Sequence, residues 1–192
     1  MVTRIIAGSL ASRRIATPAG PATRPTTDRV RESVFSYLAS YLGVVNRVAS
    51  EQLSQCRFLD LYAGSGAVGL EALSRGAEVT WVDKHTARLI KQNLETLSVH
   101  GEVLGMDVAK FLVREPTSFN IIWMDPPYEM PNDLVEAILG QINTRGWLCE
   151  PGCVLVERSG HSSAVEFPES FLKVSTRRYG DTVIFHAEKG SQ

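Results

Sequence analysis

The chain has 192 residues, 44% hydrophobic and 21% charged, which suits one domain with a substantial core and is short for two. No run approaches the roughly 20 apolar residues of a membrane helix, and the start, Met1 to Leu10, lacks the apolar stretch of a secretory signal. The net charge is −1, yet residues 1–47 carry seven arginines against Asp28 and Glu32, a local +5 beside −6 for the rest. Such a basic arm on an acidic body is either a solvated surface or a phosphate-contacting one.

In chain order, residues 3–16 read as two short strands around Gly8-Ser9, and Pro18, Gly20, Pro21 and Pro25 make 17–26 a loop. From about Asp28 to Leu42, Val30, Val34, Leu38 and Leu42 recur every four residues, an amphipathic helix with Gly43 as its stop. Phe58 to Tyr62 is a buried strand that ends in a glycine turn, and residues 67–75 are helical. Val79 to Val82 is a second strand, a helix covers roughly 85–97, and a short strand near Glu102–Leu104 precedes a helix from Val108. Ile121 to Met124 is the next strand, followed by a helix over about 132–144 and a strand at Val154 to Val156. Leu172–Tyr179 and Thr182–Ala187 flank Gly180-Asp181 as a hairpin. Strand–helix alternation predicts a parallel, doubly wound sheet with this antiparallel hairpin on one edge.

Two segments carry chemistry. Gly64-Ser65-Gly66-Ala67-Val68-Gly69 follows a strand and opens a helix, so its backbone can turn sharply and admit a ligand closely. Asp83, at the end of the next strand, can accept hydrogen bonds from ribose hydroxyls or cap the helix after it; Asp107 can meet an adenine amino group or cap its own helix. Both NAD and S-adenosylmethionine fit such a loop. Asp60 at the first strand's end leans toward the cationic sulfonium and ammonium of the latter. The second segment, Asp125-Pro126-Pro127-Tyr128, runs directly off an apolar strand. An aromatic amine is a poor nucleophile because its lone pair is delocalised. The Asp125 carboxylate and the Pro126 carbonyl can accept its two N–H groups, while the consecutive prolines hold that carbonyl rigid. Tyr128 offers a ring for stacking a base. An oxidoreductase leaves this segment unexplained, and His85, His100, His161 and His186 share no motif. The cysteines Cys56, Cys149 and Cys153 form no framework, which suits a reducing cytoplasm, and no metal is expected.

A glycine loop followed by Asp-Pro-Pro-Tyr resembles the amino-methyltransferases, which include enzymes of adenine N6, cytosine N4 and guanine N2 and some protein-glutamine enzymes. More narrowly, the chain resembles the RsmD-type bacterial 16S rRNA guanine-N2 methyltransferases. The match is carried by Arg4 to Gly8, Arg24 to Phe35, Phe58 to Gly66, Asp125 to Tyr128 and Tyr179-Gly180-Asp181-Thr182. The resemblance implies a Rossmann-like class I methyltransferase fold with a seven-stranded sheet. An N-terminal extension (1–45) would bind RNA and close the site, and residues 46–192 would form the methyltransferase domain. It places S-adenosylmethionine, leaving as S-adenosylhomocysteine, among Asp60, Tyr62, Gly64, Gly66, Asp83, Lys84, Asp107 and Val108. Asp125, Pro126, Pro127 and Tyr128 would hold the guanine, position 966 in standard 16S numbering. Arg4, Arg13, Arg14, Arg24, Thr26, Arg29 and Arg31 would meet the RNA, although Arg29 and Arg31 can instead pair with Asp28 or Glu32. The partner implied is 16S rRNA in an assembling small subunit, met by a cytoplasmic monomer without membrane attachment. Many relatives carry phenylalanine at the place of Tyr128, which keeps the stacking and leaves any role of the hydroxyl open, and Glu129 adds an unexplained negative charge. A DNA adenine or cytosine methyltransferase is the competing reading; 192 residues leave it little room for a recognition region.

Overall fold

Side chains alternate across each apolar run, so a strand covered on both faces must be apolar at every position. Such runs form the centre of the computed structural model, which describes residues 2–18 and 26–190. The strands are β1 (Val2–Arg4), β2 (Arg14–Ala16), β3 (Arg57–Leu61), β4 (Glu78–Val82), β5 (Glu102–Leu104), β6 (Phe119–Met124), β7 (Leu148–Ser159), β8 (Phe171–Tyr179) and β9 (Thr182–Lys189). The helices are α1 (Asp28–Tyr41), α2 (Ala67–Ser74), α3 (Ala87–Leu97), α4 (Val108–Leu112) and α5 (Asn132–Thr144). Strands β3 to β9 form one seven-stranded sheet in the order β5-β4-β3-β6-β7-β9-β8. Pairing is parallel from β5 through β7 and antiparallel for β9 and β8. Chain order reverses between β3 and β6, and a crevice opens beyond the carboxyl ends of strands at such a point.

Alternation sorts the core into two layers. Phe58, Trp81, Ile121, Trp123 and Leu155 bury on one face; Leu59, Leu61, Val82, Ile122 and Met124 bury on the other. The hairpin inserts β9 next to β7 and leaves β8 outermost, its side chains exposed from Leu172 to Arg178. Strand β7 is longer than the apolar run Val154–Val156, because β9 pairs with it from Gly152 to Ser159. Helix α1 starts where Thr27 accepts a hydrogen bond from the Val30 amide and stops before Gly43, whose φ is +68°. Among the described residues no helix is long and apolar enough to cross a membrane.

The N-terminal residues join the first core layer. Ile5, Leu10, Ile15, Val34, Phe35 and Leu38 pack in the same cluster as Phe58 and Trp81. Buried carboxylate and amide groups fasten them. Glu71, fully buried on α2, accepts the amides of Ile6 (2.7 Å) and Ala7 (3.0 Å) and pairs with Arg75. Gly8 (φ +87°) lies so close to α2 that a Cβ there would sit 2.0 Å from the Ser74 carbonyl oxygen. Asn93 on α3 exchanges two 2.9 Å hydrogen bonds with the Ala16 backbone and donates to the Ser65 carbonyl in the glycine loop. The hydroxyls of Ser33 on α1 and Tyr179 at the end of β8 also meet, which joins two motifs far apart in the chain.

Candidate active site

A cavity of about 570 Å³ lies at the carboxyl ends of β3, β4 and β6. Of the predicted cofactor residues, Asp60, Tyr62, Gly64, Asp83, Lys84, Asp107 and Val108 line it. Gly66 is absent from that lining. Its φ of +78° turns the chain into α2, its carbonyl accepts the Trp81 indole N–H at 3.3 Å, and it shapes the loop from behind. Gly64, at φ +55°, faces open space. Its amide donates to Asp83 Oδ2 at 3.0 Å, while Asp83 Oδ1 accepts the amides of His85 and Thr86, both at 2.8 Å. Asp83 thus organises the turn into α3, whose N-cap is Thr86, and lines the cavity. Asp107 does the same for α4, accepting the Ala109 amide at 2.9 Å.

Asp60 is 1% exposed and accepts the Gly69 amide at 2.9 Å. Burial pushes its carboxyl well above the usual range; the Gly69 N–H opposes this and the Asp83 charge adds to it. Only glycine fits at 69, where a Cβ would lie 2.1 Å from the Trp81 indole nitrogen.

Across the cavity, Asp125 follows directly from β6, and its amide donates to the Leu61 carbonyl at 3.3 Å. Burial, reinforced by the charges of Glu157 and Asp60 and opposed by that of Arg158, raises the Asp125 carboxyl well above its ordinary value. The segment is braced from β7. Arg158, 2% exposed, donates from Nη1 to the Pro127 carbonyl (3.1 Å) and from Nη2 to the Met130 carbonyl (2.6 Å) and Asn132 Oδ1 (3.2 Å). Among the described residues no donor is bonded to the Pro126 carbonyl. Tyr128, 38% exposed at the rim, donates its hydroxyl to Glu157 Oε1 at 3.3 Å. Burial and then the Glu157 charge push that hydroxyl up to about 12.

Glu157 and Arg158 are absent from the sequence-derived site. A signal for them exists: a charged pair ends the apolar run Val154-Leu155-Val156, and that end of a parallel strand borders the crevice. The predicted RNA residues divide. Arg4, Arg13, Arg14 and Arg29 are exposed on the extension, with Arg4 3.6 Å from Asp28 and Arg13 donating to the Thr96 carbonyl. Thr26 lines the cavity. Arg24 lies outside the described residues. Arg31 departs from expectation: it is fully buried and donates to Asp28, Thr3 and the Arg4 carbonyl at 2.7–3.0 Å, so it struts the extension and presents nothing to RNA.

A protein-family model described as conserved hypothetical protein 95 matches residues 3–187. Ribosomal RNA small subunit methyltransferase D of Escherichia coli (strain K12) is 37% identical over 158 residues, which cover 80% of this chain and 73% of that protein. The solved structure of the Escherichia coli protein yhhF matches with a TM-score of 0.83 at 28% identity, covering 100% of both chains. A second, the Thermus thermophilus 16S rRNA N2 G1207 methyltransferase in complex with AdoMet and guanosine, matches at 0.70 and 23% identity. It covers 98% of this chain and 50% of that one, a likeness of fold alone. The fold is that of class I S-adenosylmethionine-dependent methyltransferases. Matched by a family model over nearly its whole length, and by a relative across most of both chains, the chain belongs to the conserved hypothetical protein 95 family, to which the ribosomal RNA small subunit methyltransferase D proteins are kin.

Proposed function

We propose that this chain methylates the exocyclic N2 of guanine 966, in standard 16S numbering, with S-adenosylmethionine as donor. The observation that carries the reading is the half-buried Asp125 carboxylate beside the rigid Pro126 carbonyl, both facing a cavity whose opposite wall is the Gly64 loop and Asp83. Asp60, Asp83, Asp107, Asp125 and Glu129 line the same space, against Lys84 as its formal cation. That excess of carboxyl groups suits a cationic donor better than a dinucleotide pyrophosphate.

S-adenosylmethionine supplies a methyl group already activated on its sulfonium. Asp83 would meet the ribose, Asp107 and Val108 the adenine, and Asp60 and the Gly64 loop the amino-acid end. Asp125 and the Pro126 carbonyl accept the two N–H groups of the target amine, which favours a pyramidal nitrogen and frees its lone pair. Asp125, whose carboxyl burial makes more basic, would take up the proton that the nitrogen sheds as its bond to the methyl carbon replaces the sulfonium–carbon bond. Tyr128 stacks on the base, an interaction of about 1–3 kcal/mol in single-strand recognition. Catalysis rests on alignment and charge placement.

The Asp125 and Pro126 acceptors support an amino group as the target. The choice of guanine N2 in 16S rRNA, in an assembling small subunit and by a cytoplasmic monomer, rests on family likeness. Residues 1–45 act as the RNA-binding extension, with Arg4, Arg13, Arg14 and Arg29 toward the phosphates. The test supplies labelled S-adenosylmethionine with undermethylated 30S particles and with duplex DNA. Label is expected at one guanine of 16S rRNA, and Asp125→Ala is expected to abolish it while S-adenosylhomocysteine still binds. Label in DNA alone would overturn the reading.

A further inference from the structure

We infer that Glu157 is a positioning residue, which ties the base-stacking Tyr128 and the N-terminal extension to one carboxylate. The inference rests on the function proposed above and gives the Tyr128 hydroxyl a task. Glu157 is 2% exposed at the end of β7, next to the arginine that braces the Pro127 and Met130 carbonyls. Its Oε1 accepts the Tyr128 hydroxyl at 3.3 Å, and its Oε2 accepts the Thr26 hydroxyl at 2.9 Å. These partners lie 29 and 131 residues away in sequence. A desolvated carboxylate is costly unless hydrogen-bonded, and here each oxygen is engaged by a segment that itself lines the cavity.

Each hydrogen bond fixes something the substrate needs. Tyr128 is partly exposed, and its hydroxyl is tied to Glu157 and also to the Thr182 side chain, so the Glu157 bond helps to set the plane on which a base stacks. Thr26 directly precedes Thr27, the N-cap of α1, so the bond to Glu157 sets where the extension meets the cavity rim. An RNA that seats its base on Tyr128 therefore meets the extension in one fixed register. The Glu157 charge also raises the basicity of Asp125, the proton acceptor.

The test compares Glu157→Ala, Glu157→Gln, Tyr128→Phe and the Glu157→Ala/Tyr128→Phe double variant of the full chain, assayed on undermethylated 30S particles. Glu157→Ala removes both hydrogen bonds and is expected to raise KM for the particle by about tenfold or more, with S-adenosylhomocysteine affinity unchanged. Adding Tyr128→Phe should cost little further, because the shared bond is already gone. Glu157→Gln keeps an acceptor and most of KM, but its missing charge should move the acid limb of the kcat profile to lower pH. An activity-independent readout is the Tyr128 phenol followed by NMR, whose titration should fall from about 12 in Glu157→Ala. Multiplicative losses in the double variant, or an unmoved phenol titration, would overturn the inference. A wild-type chain inactive on 30S particles whose phenol titration still moves with Glu157 would sink the proposed function and leave the tether standing.

Discussion

Arg158→Ala tests whether the site works by rigid placement. The side chain makes three hydrogen bonds, two of them to the Pro127 and Met130 carbonyls, in and just after the segment proposed to hold the base. A hydrogen bond from a charged donor is worth about 1.5–3 kcal/mol net, which would sum to roughly 4.5–9 kcal/mol if all were lost without replacement. They are not, because Pro127 is exposed and Met130 half-buried, so water can reach both carbonyls. A loss of about 2–4 kcal/mol in loop placement follows, corresponding to roughly 30- to 1000-fold in kcat, the scale expected when reacting groups shift by about 1 Å. S-adenosylhomocysteine affinity should hold, since Asp83 and the Gly64 loop make none of these bonds.

The same substitution has a second signature. The Arg158 cation opposes the burial, Glu157 and Asp60 effects that raise the Asp125 carboxyl. Its removal raises Asp125 further, so the ionised form needed for catalysis appears only at higher pH. The rising limb of the kcat profile should move to the alkaline side. Arg158→Lys keeps the charge without the planar fork, and should restore the limb but only part of kcat. Single-turnover rates across pH, on variants shown folded by thermal melts, decide the matter. A folded Arg158→Ala with kcat within about threefold of wild type and an unmoved limb would refute the bracing argument.

Other substitutions probe the frame. Gly69→Ala drives a methyl into Trp81 and disturbs the amide that Asp60 accepts, so it should lose about 1–3 kcal/mol or more in urea unfolding and weaken cofactor binding in calorimetry. Gly140→Ala on α5 meets nothing within 4 Å and should instead gain about 0.5–1 kcal/mol; a loss there would show that the clash argument lacks discrimination. Because Asp60 and Asp125 are raised, their ionised forms grow in as pH rises, and S-adenosylmethionine affinity should rise with them. S-adenosylhomocysteine, without the sulfonium charge, should show a shallower dependence; equal slopes would argue against charge matching. Replacing Arg4, Arg13, Arg14 and Arg29 with glutamine should flatten the salt dependence of RNA binding, by roughly one unit of slope for each phosphate no longer neutralised. Arg31→Ala should lower the melting temperature and leave the residual slope alone.

Local periodicity made most of the fold legible. Helix α5 falls at 132–144 as its pattern predicts, and β3, β4 and β6 begin within two residues of their apolar runs. What stayed hidden depends on partners distant in the chain. Strand β7 is extended by pairing with β9, which periodicity within β7 cannot register. Arg31 shows why a charge count misleads: Asp28 is visible three residues before it, but the Arg4 carbonyl that completes its burial comes from 27 residues away. Desolvation, not charge, decides whether an arginine meets phosphate. Gly66 misleads in another way, because a fingerprint spacing does not say which glycine faces the ligand and which faces the neighbouring strand. Glu157 and Arg158 escape notice because neither belongs to a motif; they matter through the loop they hold.

Under the proposed function, a short extension would serve as a recognition element because its buried polar groups fix it at two places. Glu71 and Asn93 fasten residues 6–16 to α2 and to the glycine loop, on the cofactor side. Thr26 fastens the other end of the same extension to Glu157, on the base side. Pro18 and Thr26 of the extension both line the cavity. An arm hung on one anchorage would bind RNA wherever charge permits and leave the chemistry indifferent to register. An arm fastened to both walls transmits register directly to the angle between the amine nitrogen and the donor. A wrongly seated RNA would then lose both the stacking contact and the alignment at the methyl group, so discrimination would fall on KM and kcat together.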